Sequence, residues 1–502
     1  MQSRLRQIPL SVLFSSSLAG YVLLRLWFPF HRYYLTVPLR DVRGFTPSLA
    51  AGLAYAALLS ALFGLHGLAY ARVRRDPPRR PFLMIMLGSL LLAVPLLTTY
   101  PINATDLYRY AIRGRVSSVY GQSPFVSPPD AFAQDPYLPL AGEWAGETSP
   151  YGPLWEGAAS VVTGVAPADF WLNLLSFKVL AALAFWLMGG VLWRILVTDP
   201  DRLSRAENAG TLLLWAWNPA LLLIFIVDGH NDALMLLWLL LGWWFIRRRR
   251  PTIGFWVAVL AALTKPIALL ALPFLFLAAW RNAARVNSHS LSPRLGPFAP
   301  LVYVSQLAFV LAALGGSAAL VTLAFLPFGS PLQLTGRLLR EATTFAGFSP
   351  ATLLILLMER LGWSLTVTQV SRLTTVLFTL AGAWLGWLAL RGRATPRGIA
   401  DAFIAYVWQA LAFRIWYAAW PLIWLLVDDD DEVARRRRRV GLWFLFTTQL
   451  SVVIYGHVWQ YLLAREFLWA HLVGVPFVFG LPWLATRDWR GRGERQARRI
   501  DA

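Results

Sequence analysis

Cysteine is missing from all 502 residues, and lysine nearly so, with two residues against 44 arginines. The first absence removes disulfides, thiolate metal sites and cysteine nucleophiles from consideration. Charge is scarce too: only 14% of the chain is Asp, Glu, Lys or Arg, while 57% is hydrophobic and 25 residues are Trp. There is no Gly-rich phosphate loop, no internal repeat, tandem or inverted, no low-complexity linker and no separate soluble domain. What the chain has instead is a succession of apolar runs, each long enough to cross a hydrocarbon layer of ~30 Å. This predicts an all-α polytopic membrane protein, residues 1–502 forming one transmembrane unit. The formal charge of +20 does not argue for nucleic acid, because the basic residues sit in short clusters between apolar runs. There they act as topological anchors.

The expected spans are 8–29, 48–71, 81–99, 170–197, 208–227, 231–246, 300–327, 366–390, 440–457 and 467–485. The first, with no small-residue cleavage site after it, reads as a retained signal anchor. Two further segments, 252–280 and 399–427, carry basic anchors at both ends, so each is expected to be a hairpin of two short helices. The breaks fall at "TKP" (Thr264 to Pro266), where proline removes a backbone donor, and at "FRIWY" (Phe413 to Tyr417). Counting both hairpins gives about 12 to 14 membrane helices. Segment 153–167 is short and reads as re-entrant or interfacial.

Basic clusters at Arg72 to Arg80, Arg202 and Arg205, Arg247 to Arg250, Arg281 to Arg294, Arg391 to Arg397, Arg435 to Arg439 and along the tail 486–502 mark the cytoplasmic side by the positive-inside rule. Both termini are then cytoplasmic. The opposite ends collect Asp41, Asp106, Asp130, Asp135, Glu143, Glu147, Asp228, Asp232, Glu341 and Glu466. The arginine-rich, cysteine-free composition fits a bacterial plasma membrane.

The outer loop 100–152 opens with "DLYRYAIRGRVSSVYG", whose Leu107, Ala111, Ile112, Val116 and Val119 fall at roughly helical spacing, as in an amphipathic helix lying in the interface. Thr105 or Asp106 can serve as its N-cap. Asp106 also has company that capping does not need. "DGHND" (Asp228 to Asp232), the tip at Lys265 and the tip at Arg414, Trp416 and Tyr417 should share its face. Irregular backbone at membrane depth requires protein or a water-filled cavity around it, so these tips should line one outer cavity. A charged residue inside an apolar segment is a functional candidate by default. Lys265 qualifies at a predicted break, whereas Lys178 can snorkel or pair within the bundle. His230 reads either as a packed residue or as part of a site; Trp416 and Tyr417 read either as an interfacial belt or as a platform for a sugar ring.

Taken together, "DLYRYAIRGR" (106–115), "YGQSPF" (120–125), "SPYGPLW" (149–155), "WNPALLLIFIVDGHNDALM" (217–235), "LTKP" (263–266) and "FRIWYAAWPL" (413–422) resemble the GT-C superfamily of integral-membrane glycosyltransferases. Within it they resemble the bacterial, mannosyltransferase-like branch that uses polyprenyl-phosphate sugars. The resemblance implies a hexosyltransferase, mannose being the expected sugar, with a polyprenyl-phosphate donor, a glycan or lipid-linked acceptor and an extracytoplasmic active site. It implies that Asp106, the acid opening the first large outer loop, is the general base and that the sugar carbon inverts. Asp135 and Glu147 are candidates for the family's second loop carboxylate, but neither follows a strict pattern, and no metal is assigned. The family's "NPY" is "SPF" here, at Ser123 to Phe125, so its Asn and Tyr contacts do not carry over.

A polyprenyl phosphate is a good leaving group, so the chemistry needs one carboxylate to take the acceptor proton and cations to hold the phosphate. The expected phosphate-binding residues are Lys265 and Arg414, with Arg113 and Arg115 of the interfacial helix as partners. Tyr108, Tyr110, Asp228, His230, Asn231, Asp232, Trp416 and Tyr417 are the expected sugar or acceptor contacts. Expected partners are the donor, the acceptor and membrane lipids, with no nucleic acid. A secondary transporter or lipid-linked-sugar flippase also uses broken helices and buried charges, and is the alternative reading. A noncatalytic envelope scaffold is a third.

Overall fold

A computed structural model describes residues 8–198, 204–288, 299–344, 347–363, 366–429 and 431–487. Arg202, Arg294, the Glu341 side chain and the tail beyond Arg487 lie outside the described residues. Among the described residues the chain's regular structure is helical, apart from one β-bridge that joins Pro29 and Thr99. Every expected span is a helix or a run of helices. By length and composition, seven helices can cross a membrane, or eight if the bent pair Arg205–Ala216 and Pro219–Val227 counts as one. The expected 12 to 14 is therefore not reached by this criterion. The reason is local: Pro81–Leu97, Pro251–Thr264 and Ile415–Val427 are apolar but short, and π turns interrupt the runs at Leu223–Val227, Ile454–Val458 and Pro476–Gly480.

Both expected hairpins break where proline or a change of period breaks them. The helix Pro251–Thr264 stops at Lys265, whose extended φ of −148° and ψ of 118° turn the chain into a 3-10 segment, Pro266–Leu270, before Leu272–Ser288 begins. Proline at 266 cannot continue the preceding helical bonding and biases Lys265 toward extended backbone. In the second hairpin Thr395–Gln409 ends, a 3-10 turn Ile415–Ala418 follows, and Ala419–Val427 returns. Its two ends meet directly: Arg397 lies 3.0 Å from Asp428 and 3.0 Å from Asp431.

Helix ends sort by charge. Arg74 pairs with Glu207 at 3.2 Å, and Arg281 donates to the carbonyls of Ala389 and Leu390 at 2.8 and 2.9 Å. These contacts gather basic termini at one end of the bundle. Pro81–Leu97, Arg205–Ala216, Pro251–Thr264 and Thr395–Gln409 all start there, and each runs toward the end that holds Asp106, Asp228, Lys265 or Arg414. Lys178, wholly buried, donates to the carbonyls of Leu97 and Thr99, among others, as a C-terminal cap for Pro81–Leu97.

The Arg397 contact makes a prediction. Asp428 has no exposed side-chain surface, so Arg397→Gln strands a buried charge and should cost on the order of 3 kcal/mol. Thermal unfolding in detergent measures this, and an unchanged midpoint would contradict the closed hairpin.

Candidate functional site

Asp106 is the first residue of the helix Asp106–Ser118, where a carboxylate meets the positive end of the helix dipole. Of the two N-cap candidates Thr105 takes the position, but its side chain makes no cap bond, and among the described residues no backbone N–H donates to the Asp106 carboxylate. The Asp106 carboxylate instead turns to side chains. The Tyr151 hydroxyl donates to Oδ1 at 2.8 Å, and Arg109, one turn on, donates to the same oxygen at 3.2 Å. Oδ2 takes no bond from the described residues. Burial alone would raise the Asp106 pKa, but the charges of Arg109 and Lys265 and the Tyr151 bond outweigh it and hold the group below the usual carboxylate range. His230, pushed down to about 4 by burial, is neutral at pH 7 and adds no charge.

Tyr151 reaches Asp106 because Gly152 lets two segments touch. A Cβ on Gly152 would stand 2.0 Å from the Leu263 carbonyl oxygen, and the Gly152 N–H donates to Thr264 O at 3.0 Å. The "YGP" of the loop is thus seated on the "LTKP" break. Arg109 is clamped from the other side by the Trp144 ring, 4.2 Å away.

Lys265 projects from that break to Asp232, with Nζ 2.7 Å from Oδ2 and 3.4 Å from Asn231 Oδ1. The Tyr151 and Trp420 rings lie 5.7 and 5.9 Å from the ammonium. Trp420 also donates its indole N–H to Asp232 Oδ1, so Asp232 joins three distant stretches of sequence. "DGHND" can supply this corner because it follows a π turn and contains Gly229 at φ +67°, a backbone conformation that favours glycine. His230 stacks on Trp416 at 4.3 Å; both of its ring nitrogens are buried without a hydrogen-bond partner among the described residues, Nδ1 standing 3.7 Å from Asp232 Oδ2. Arg414 is half-buried two residues from Trp416, and its side chain makes no hydrogen bond or ion pair among the described residues.

The remaining expected residues are placed differently. Asp228 accepts from the backbone N–H groups of Ile102 and Asn103 at 2.8 and 3.2 Å. It thereby fixes the segment leading into Asp106; burial pushes it up to about 7 against those bonds and Lys178. Tyr108 packs between Tyr100 and Phe170 in the core. Tyr110 packs edge-on to Tyr151 and Trp155 and accepts from the Asn231 N–H at 3.4 Å, a supporting position. Arg115 is spent on Asp135, 2.8 Å away and equally buried, which also removes Asp135 from the Asp106 cluster. Arg113 donates to Glu147 O at 3.3 Å, and the Glu147 carboxylate pairs with Arg337 at 3.0 Å. Tyr417 stacks on Trp420 at 4.1 Å. Among the described residues no group of three or more His, Cys, Asp or Glu is placed to share a metal ion.

Sequence reasoning passed over Arg109, Tyr151 and Trp420. Arg109 carried a usable signal, its i+3 spacing from Asp106; Tyr151 and Trp420 carried none beyond their motifs, since their partners are far away in the chain. Glu156 was also missed. It is buried, receives the Ser149 hydroxyl on Oε1, and leaves Oε2 without a partner. Burial pushes it up to about 7.

A family profile described as alpha-(1->6)-mannopyranosyltransferase, N-terminal domain, matches residues 25–281, just over half the chain. The match takes in Asp106, Tyr151, Asp232 and Lys265 but stops short of the second hairpin. Two curated relatives come from Corynebacterium glutamicum. Alpha-(1->6)-mannopyranosyltransferase A is 25% identical over 183 residues, 36% of each chain. Alpha-(1->6)-mannopyranosyltransferase B is 26% identical over 150 residues, 30% of this chain and 24% of the relative. The chain therefore aligns with only about a third and a quarter of their lengths. No solved structure matches the chain.

Glu156 gives a pH prediction. A carboxyl whose folded pKa is raised is protonated in the fold while the unfolded chain is ionised, so its contribution to stability falls as pH rises from the ordinary value of 4.5 to about 7. Glu156→Gln keeps the Ser149 bond without the ionisation. Its melting temperature should match the native protein near pH 5 and exceed it at pH 8; an equal difference at both values would refute the buried carboxyl.

Proposed function

The chain belongs to the alpha-(1->6)-mannopyranosyltransferase family, and from that premise we propose that it is a membrane mannosyltransferase. It moves mannose from a polyprenyl-phosphate donor to a hydroxyl of a glycan or lipid-linked acceptor. The reaction takes place at the end of the bundle opposite the basic helix termini, which the positive-inside rule assigns to the extracytoplasmic face of the plasma membrane. The observation that carries this reading is the convergence of Asp106 and Lys265 across Tyr151, a carboxylate and a cation from distant segments held at one helix end.

Each group has one job. Tyr151 and Arg109 occupy Oδ1 of Asp106 and fix the carboxylate plane, leaving Oδ2 to accept the proton of the acceptor hydroxyl. Held below the usual carboxylate range, Asp106 is a weak base, so its proton transfer accompanies attack and does not precede it. The acceptor oxygen bonds to the anomeric carbon, the bond from that carbon to the phosphate oxygen breaks, and the lipid phosphate leaves with the electron pair. A single displacement inverts the sugar carbon. Lys265 and Arg414 receive the leaving phosphate. Lys265 is already shared with Asp232, so the guanidinium of Arg414, unpaired among the described residues, brings the uncompensated charge and a bidentate fork. The His230–Trp416 stack and Asn231 lie beside this pair as contacts for the sugar.

The experiment is sugar transfer by purified protein in detergent, from radiolabelled polyprenyl-phosphate mannose to a mannoside. Asp106→Asn should retain the fold and lose ~10² to 10⁴ in kcat with little change in donor KM. Arg414→Gln should act mainly through donor KM. Full activity in a folded Asp106→Asn protein would overturn the assignment of the base. Failure of the native chain with this and other lipid-linked sugars would overturn the transferase reading.

A further inference from the structure

A groove lies on the flank of the second hairpin, away from the Asp106 site. It runs between Thr395–Gln409, Ala419–Val427, Glu432–Val453 and the Pro476–Ala485 stretch. Ile404, Trp408, Phe444, Phe479 and Trp483 supply its walls. Trp408 and Trp483 are 42% and 44% exposed, so the groove opens onto the outer surface of the bundle. At its end nearest the basic termini stand Asp401 and Arg437. Asp401 accepts from Arg437 on one oxygen and from Arg393 on the other. Two guanidinium groups thus share one carboxylate, and the Nε of each is buried without a hydrogen-bond partner. The cluster keeps one net positive charge, and Arg437 belongs to a run of five arginines, Arg435 to Arg439.

We propose that this groove is a binding site for an anionic phospholipid. The phosphate sits at Arg437 and Arg393, and one acyl chain lies along the hairpin toward Trp408. From Asp401 to Trp408 is two helical turns, about 10 Å at 1.5 Å per residue, enough for the upper part of an acyl chain. The charge is placed for a lipid of the leaflet at the basic end, where anionic headgroups attract clustered arginines. It is misplaced for the donor's isoprenoid chain. A chain descending from Arg414 would meet the Phe413, Phe444 and Phe479 cluster, whose rings are 5.2 to 6.1 Å apart, and would end its hydrocarbon against an ion cluster. The bound lipid would brace the hairpin that carries Arg414 and Trp416 from the opposite end.

Native mass spectrometry of the full chain in detergent, titrated with phosphatidylglycerol and separately with phosphatidylcholine, tests this directly. One phosphatidylglycerol should be retained in preference to phosphatidylcholine. Arg437→Gln, in which Arg393 still pairs with Asp401, should weaken phosphatidylglycerol about fivefold and leave phosphatidylcholine unchanged. Ile404→Trp should fill the apolar part and displace the lipid with every charge intact. Equal retention of the two lipids, or indifference to both substitutions, would overturn the proposal. So would displacement of phosphatidylglycerol by a polyprenyl phosphate, which would make the groove a channel for the donor's tail. None of these readouts depends on turnover, so their outcome is separate from that of the transfer assay.

Discussion

Asp232 holds the site together. Its two oxygens take Lys265 from the first hairpin break and Trp420 from the second, so the "DGHND", "LTKP" and "FRIWYAAW" segments meet at one buried carboxylate. An ion pair of this kind is a weak source of net stability, because desolvation offsets much of the Coulomb gain. Its value here is geometric: with Lys265 fixed, the break at 264–266 has one arrangement, and the Gly152 contact then seats Tyr151 where it can bond Asp106.

The irregular backbone around the site answers to the same geometric demand. A straight helix satisfies its own N–H and C=O groups, and that is why helices span membranes at all. Presenting Lys265, Arg414 and His230 at a helix end requires interruptions, and the freed groups must find new partners. Thr264 O accepts from Gly152, and His230 N–H donates to Ile224 O across the π turn. The loop from 100 to 152 is anchored likewise by Asp228 at its start and by the Arg115–Asp135 pair along its length. These buried charges are committed to holding backbone in place, whereas Asp106 Oδ2 and the Arg414 side chain take no hydrogen bond among the described residues.

Much of this was legible in the sequence. The spans, both hairpin breaks and the shared face of Asp106 and Lys265 follow from apolar run length, proline and charge asymmetry. Those signals are local or count along the chain, and they survive folding. The division of labour within the site was not legible. The i+3 spacing offers Arg109 to Asp106, but nothing local ties Arg115, on the same helix, to Asp135. Nor does any local signal say that Asp228 faces backbone while Asp232, four residues on, faces Lys265. Those choices are made by partners tens to hundreds of residues away. The helix count suffered for a different reason: π turns and short apolar helices blur where one crossing ends.

The central claim is that Asp106 Oδ2 is the atom that takes the acceptor proton. A structure of the protein with polyprenyl phosphate and a mannoside acceptor tests it most directly. The account predicts an acceptor hydroxyl within hydrogen-bond reach of Oδ2, about 2.6 to 3.2 Å, with the lipid phosphate on the Lys265 and Arg414 side. A hydroxyl bound instead to another carboxylate, with Asp106 facing neither substrate, would contradict it.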